Sequence, residues 1–341
     1  MRALLHICNP HVHASSSRCF VPVVSLVLLA ALLAASNLLY TTFPHPWRVF
    51  SSHLHTRSRR GEGGGCDIFR GDWVPDPDAP YYTNDTCSVI HEHYDCMSRA
   101  LGFVTWRWRP DGDGCDLPRF DPARFLALMR SKTIAFVGDS LARNHKDSLI
   151  CLLTRVAEPT TSWPSSKHTV YHYGEYNFTV ASFWAPYLVR HEQIDDDGPA
   201  HTGLWNLHLD EAEDVWAARI PELDYVVVSA SSWFYRPSML YAPGRLVGCH
   251  YCHWVSGLAF GGRRRKEFAA AAERAAATGN ARMMLMDTTE AMILRADAHP
   301  SKYRGWTPEK HFTLYNDCVH WCLPGAIDTW NDMLLHMLNS T

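Results

Sequence analysis

KTIAFVGDSLARNHKDSLICLL (Lys132–Leu153) joins a short apolar run to a longer segment through Gly138-Asp139-Ser140, and it sets the fold class. Lys132–Val137 is too short for a helix and is stopped by a glycine, so it reads as a buried strand. Leu141–Val156, with Leu141, Leu149, Ile150, Leu152 and Leu153, suits a helix. Further along, Leu223–Ser229 (LDYVVVS) is a second, β-branched strand. Arg263–Ala277 reads as a helix ending at Gly279, and Met283–Met286 as a third strand. Ala326–Leu338 reads as an amphipathic helix, preceded by Leu323-Pro324-Gly325. This alternation predicts a three-layer α/β domain with a mainly parallel sheet. Cys66–Phe120, rich in Pro, Cys and Trp, fits no such pattern and predicts an irregular, disulfide-pinned wrapping.

The 341 residues hold 32 Lys+Arg against 35 Asp+Glu, a net charge of −3 that excludes a basic nucleic-acid binder. An apolar content of 47% with 12% aromatics excludes a disordered chain. Thirteen Trp residues point toward carbohydrate, because indole faces stack on sugar rings. Trp106, Trp108, Trp233 and Trp321 are the candidates, with core packing the alternative for each.

From Cys19 to Trp47 there is no Asp, Glu, Lys or Arg, and Phe20–Tyr40 is long enough to span a bilayer as a helix. A cleaved signal peptide is the alternative, but the stretch exceeds a signal h-region and ends in no clean A-x-A site. Arginines flank it on both sides, so the positive-inside rule does not orient it. The sequons at Asn84 and Asn177, with a poor one at Asn339, place the chain beyond the span in a lumen. Nine cysteines lie C-terminal to the span: Cys66, Cys87, Cys96, Cys115, Cys151, Cys249, Cys252, Cys318 and Cys322. They suit an oxidising compartment. The expected order is a cytosolic tail (1–19), an anchor (20–40), a Gly- and Arg-rich stem (41–65) and a lumenal domain (66–341). Within that domain, 66–120 is Cys-rich and 132–338 is the core.

Gly138-Asp139-Ser140 stands where a strand hands over to a helix, the position where open α/β sheets bind ligands. A Ser hydroxyl there meets free N–H groups and the helix dipole, although a Ser capping the helix is the plainer reading. A nucleophilic Ser needs a base, and the base an orienting acid. Asp317-Cys318-Val319-His320 supplies both, since an Asp three residues before a His reaches its ring within one turn. Asp287 is the rival acid.

Together these residues resemble the GDS and D-x-x-H signature of SGNH/GDSL hydrolases. More narrowly, the chain resembles the plant trichome birefringence-like family of polysaccharide O-acetyltransferases. Cys66–Cys87, Trp106–Asp121, Ala135–His145, Tyr176–Val189 and Tyr315–Asn331 carry that resemblance. It implies a single-pass type II protein of the Golgi membrane that acetylates a hemicellulose, xyloglucan first and mannan or xylan next. It implies Ser140 as nucleophile, His320 as base and Asp317 as orienting acid, with no bound cofactor or metal. The acetyl donor is acetyl-CoA or an acetylated carrier, supplied with the help of a membrane protein. Gly138, Asp139, Arg143, Asn144, Ser232, Trp233 and Trp321 are the expected oxyanion and substrate residues. The chain departs from the family at Ser231-Ser232, where relatives carry Gly and a polar residue. Trp254–Arg265 is also short and lacks a His-Phe-Glu-Asn-Gly-type motif and a Cys.

Cys249-His250-Tyr251-Cys252-His253 looks like half a zinc site, with a local disulfide favoured in an oxidising lumen. His91-Glu92-His93 reads as surface. Cys322, close to His320, is expected to bridge to the N-terminal cysteines, and the odd count leaves one cysteine over, Cys318. An esterase with the same triad and a silent polysaccharide-binding scaffold are the competing functions.

Overall fold

The computed structural model describes residues 66–97, 104–163, 167–194, 203–230, 232–250, 260–279, 281–300, 303 and 317–340. The tail, the anchor Phe20–Tyr40 and the stem expected from the sequence lie outside the described residues, as do Ser231, Cys252 and His253. Among the described residues no helix is long and apolar enough to cross a membrane.

The N-terminal segment contributes β1 (Gly71–Pro75) and β2 (Trp106–Pro110), an antiparallel pair with Trp73 opposite Trp108. Their indoles meet edge-on at 5.8 Å, and Trp73 donates its N–H to the Ala291 carbonyl at 2.8 Å. Disulfides pin the rest, as the composition predicted. Cys66–Cys115 closes the segment on itself, Cys87–Cys151 fastens it to a core helix, and Cys96–Cys322 reaches across 226 residues to the C-terminal loop. Cys249 is also disulfide-bonded, and Cys318 is exposed.

The core begins with α1 (Pro122–Leu128), β3 (Thr133–Gly138), α2 (Ser140–Leu153), β4 (Thr160–Ser162), β5 (His168–Tyr173) and β6 (Phe178–Trp184). Then come β7 (Val189–Gln193), β8 (Trp205–Ala212), α3 (Asp214–Ala217), β9 (Tyr225–Ser229), β10 (Ser238–Tyr241) and β11 (Leu246–His250). Three helices close the chain: α4 (Phe260–Thr278), α5 (Thr289–Ile293) and α6 (Asp328–Asn339). The main sheet runs β4-β5-β6-β3-β9. β3 lies between β6 and β9, and five of its six residues are buried, Ile134 and Phe136 toward the helices and Ala135 and Val137 toward Ala181 and Phe183.

Two expectations need correction. The sheet is mixed: β3 pairs in parallel with β6 and β9, but β4-β5-β6 are antiparallel. The β5–β6 link is a single 3-10 turn at Gly174–Tyr176, too short for the crossover a parallel pair requires. Met283–Met286 is not a strand; Met283, Met284 and Leu285 are exposed, and β9 ends the sheet. An apolar run of four residues cannot by itself provide a pairing edge. A second sheet, β11-β10-β8-β7, was not foreseen, because its strands carry too many polar residues to stand out.

Candidate active site

Gly138 ends β3 at φ +149, and a Cβ there would lie 1.9 Å from the Ser229 carbonyl oxygen, so the turn into α2 accepts only glycine. Asp139 caps the helix: its carboxylate accepts the Leu141 N–H at 2.9 Å. Its other oxygen accepts both the Ser232 N–H (2.8 Å) and hydroxyl (2.7 Å), fastening the segment after β9 to this turn. Ser140 is the first residue of α2, half-buried where unsatisfied helix N–H groups favour negative charge.

One turn along, Asn144 is fully buried. Its amide nitrogen donates to the Trp321 carbonyl at 3.1 Å, and its oxygen accepts the Trp321 N–H at 2.7 Å. The loop that carries Asp317 and His320 is thereby bolted to the helix that Ser140 begins. Asp317 accepts the backbone N–H of Val319 (3.1 Å) and of His320 (2.9 Å) on one oxygen, and the His320 ring at Nδ1 (2.8 Å) on the other. Burial would raise the Asp317 carboxyl, but these hydrogen bonds outweigh it and hold the acid well below the usual carboxylate range. A carboxylate at Nδ1 fixes the proton there and leaves the lone pair on Nε2. That Nε2 atom is buried and has no hydrogen-bond partner among the described residues.

The base loop is held from three further sides. Tyr94 lies 5.3 Å from the His320 ring, and its carbonyl accepts the Leu323 N–H at 2.8 Å. The Cys96–Cys322 disulfide supports the same contact. His299 donates from Nδ1 to the His320 carbonyl at 2.7 Å and stacks on Trp321 at 4.0 Å. Behind α2, a buried network joins it to α6. His145 bonds Asn331 at 3.1 Å, Asn331 donates to Ser148 at 2.8 Å, and Ser148 and Tyr82 donate to Asp328 at 2.5 and 2.7 Å. Burial pushes Asp328 up to about 6 and Asp332 up to about 7, against their hydrogen bonds, and lowers His145 to about 3.

The residues expected at the oxyanion and the substrate make the following contacts. Asn144 spends both amide atoms on Trp321, and Trp321 is 7% exposed under His299. The Asp139 carboxylate is taken by the turn, and the Ser232 N–H points to it rather than to an oxyanion. Gly138 serves the close approach of two strands. Arg143 lies over the Trp184 ring at 5.0 Å, and Trp233 meets Trp184 at 5.4 Å. Asp287 accepts the Thr289 N–H at 3.3 Å, a turn contact. Asn84 and Asn177 are exposed. Among the described residues no three His, Cys, Asp or Glu side chains converge as metal ligands, and the Cys249 disulfide consumes the thiolate zinc would need. Sequence reasoning missed Tyr94, His299, Trp184 and the Asn144 clamp, because nothing in the local pattern marks contacts made across the chain.

The family model described as "GDSL/SGNH-like Acyl-Esterase family found in Pmr5 and Cas1p" matches residues 117–273 and 255–337. The two matches overlap over residues 255–273, which take in most of the short Trp254–Arg265 stretch. The "PMR5 N terminal Domain" matches residues 64–116. The chain is 42% identical over 347 residues to Protein trichome birefringence-like 19 of Arabidopsis thaliana, covering 80% of each. It is 33% identical over 345 residues to Xyloglucan O-acetyltransferase 3 of Populus trichocarpa, covering 80% of this chain and 85% of that one. Against xyloglucan O-acetyltransferase 2 of Arabidopsis thaliana it is 31% identical over 346 residues, covering 80% and 82%.

Proposed function

The chain belongs to the GDSL/SGNH-like acyl-esterase family, with the trichome birefringence-like proteins, and on that premise we propose that it transfers acetyl groups to hydroxyls of a plant polysaccharide, xyloglucan foremost. The observation that carries this reading is the Asp317–His320 pair, with its Nε2 lone pair buried on a loop that Asn144 ties to the Ser140 helix. Ser140 Oγ attacks the carbonyl carbon of an acetyl donor, acetyl-CoA or another acetylated carrier, and its proton passes to His320 Nε2. The tetrahedral intermediate expels the donor's leaving group, which takes that proton, and acetyl-Ser140 remains. A sugar hydroxyl then gives its proton to His320, attacks the acetyl carbon and releases Ser140, which recovers the proton. Asp317 holds the ring in the productive tautomer and stabilises the imidazolium. The N-terminal turn of α2 supports oxyanion charge, a contribution of roughly 2.7–4 kcal/mol per donor in comparable sites. The apolar run Phe20–Tyr40 and the sequons at Asn84 and Asn177 support work on the lumenal side of the Golgi membrane.

The full-length chain, incubated with isotopically labelled acetyl-CoA and deacetylated xyloglucan, mannan and xylan oligosaccharides, is expected to yield acetylated xyloglucan by mass. Ser140→Ala is expected to abolish both the product and the trapped acetyl-enzyme. Full transfer by Ser140→Ala would refute the nucleophile. The family description names esterases, so release of acetate from acetylated xyloglucan without transfer would favour deacetylation. Oligosaccharide binding with neither reaction would favour a scaffold.

A further inference from the structure

We propose that the indoles of Trp184 and Trp233 form the acceptor subsite, a stacking wall that presents a pyranose ring to Ser140; this rests on the acetyltransferase reading above. The four tryptophans singled out in the sequence separate in the structure. Trp108 is 2% exposed with its N–H on the Ile68 carbonyl, and Trp321 is covered by His299. Trp106 is exposed but belongs to β2 in the N-terminal segment. Trp233 meets Trp184 at 5.4 Å and follows Ser232, which is bonded to the Asp139 carboxylate beside Ser140.

Their position follows from the sheet. Gly138 pairs with Trp184 at the end of β6 and with Ser229 at the end of β9, so three parallel strands finish together. The Asp139 carboxylate then pulls Ser232, and with it Trp233, onto the same corner. The carboxyl ends of parallel strands are where such sheets bind ligands. On α2, at about 100° per residue, Ser140 lies between Arg143 and Asn144. Asn144 faces the base loop and Arg143 covers Trp184, so the nucleophile sits between base and wall.

The wall has the chemistry of a sugar site. Trp184 and Trp233 are both half-buried and stand nearly perpendicular, at 85°, which forms an angled aromatic corner. Tyr187 and Trp205 pack against Trp233, at 5.9 and 5.8 Å. Arg236 lies over Trp233 at 4.0 Å and over the exposed Tyr235 at 5.6 Å. Its Nε is buried and has no hydrogen-bond partner among the described residues. A pyranose offers an apolar C–H face to an indole and hydroxyls at its rim to a guanidinium. The adenine ring of coenzyme A also stacks, so the test includes it.

The test measures binding of a deacetylated xyloglucan oligosaccharide, and separately of coenzyme A, to the full-length Ser140→Ala chain by titration calorimetry. Trp233→Leu and Trp184→Leu, each added to that background, are expected to weaken the oligosaccharide about tenfold, or 1.4 kcal/mol. Trp106→Leu is expected to leave its affinity unchanged. If either Leu variant misfolds, Arg236→Gln serves, with an expected loss of about fivefold. Unchanged oligosaccharide affinity in these variants, no oligosaccharide binding by Ser140→Ala itself, or a loss confined to coenzyme A overturns the subsite. Transfer by the parent chain is scored apart. Transfer without ring-dependent binding sinks the subsite alone, and ring-dependent binding without transfer sinks the acetyltransferase reading alone.

Discussion

Asn144→Ala is the substitution that most directly tests how the base is held. The wild-type side chain is fully buried and makes two hydrogen bonds to Trp321, at 3.1 and 2.7 Å, across 177 residues. Truncation leaves a buried N–H and a buried carbonyl without partners, at about 1–3 kcal/mol each. The expected loss is therefore about 2–6 kcal/mol, less whatever a water admitted to the gap restores. At about 2–4 °C per kcal/mol for a domain of this size, the melting temperature should fall by roughly 4–24 °C. The transfer rate should fall further than stability explains, because a displacement of about 1 Å at the base costs on the order of a hundredfold. Thermal unfolding followed by intrinsic fluorescence gives the first quantity, and acetyl transfer measured well below the new midpoint gives the second. A melting temperature within 1 °C of the parent, by roughly the same conversion, would show that the clamp contributes nothing and refute this reasoning.

Three other expectations concern the same loop and the helix behind it. Cys322→Ser removes a bridge that closes a very long loop, and should lower stability by about 2–5 kcal/mol in chemical unfolding; Cys96→Ser should match it, and a difference beyond about 1 kcal/mol would contradict a shared role. His299→Phe keeps a ring on Trp321 but loses the donor to the His320 carbonyl, so kcat should fall about fivefold; His299→Asn, which restores a donor near Nδ1, should recover part of it, and equal loss in both would sink the positioning role. Asp328 and Asp332, raised by burial to about 6 and about 7, stabilise the fold fully only below their unfolded value, and that contribution is lost as pH rises through the folded values. Asp317 is depressed and acts oppositely, its contribution being lost only in acid. Asp332→Asn should therefore flatten the decline of melting temperature between pH 4 and 8, and an unchanged slope would count against it.

Much of the fold was legible because it is local. The apolar run of β3, the periodicity of α2, the β-branched run of β9 and the composition of α4 and α6 each satisfy a short-range rule, and their observed bounds fall close to those expected. The Asp317–His320 contact was legible for the same reason, since three residues of separation already bring acid and ring within reach. Met283–Met286 failed where a local pattern needed a neighbouring strand that its own residues do not specify. The polar strands of the second sheet failed in the other direction.

From the sequence alone came the α/β class, the disulfide-bound N-terminal segment and the candidate acid, base and nucleophile, because each is written in residue types and spacings of a few positions. Only the tertiary structure decided that the sheet is mixed and that Cys96 is the partner of Cys322. It also tied Asn144 to Trp321 and brought Trp233 against Trp184. The disulfide and the Asn144 clamp join residues 226 and 177 positions apart, and their energies exist only once the chain has closed its loops.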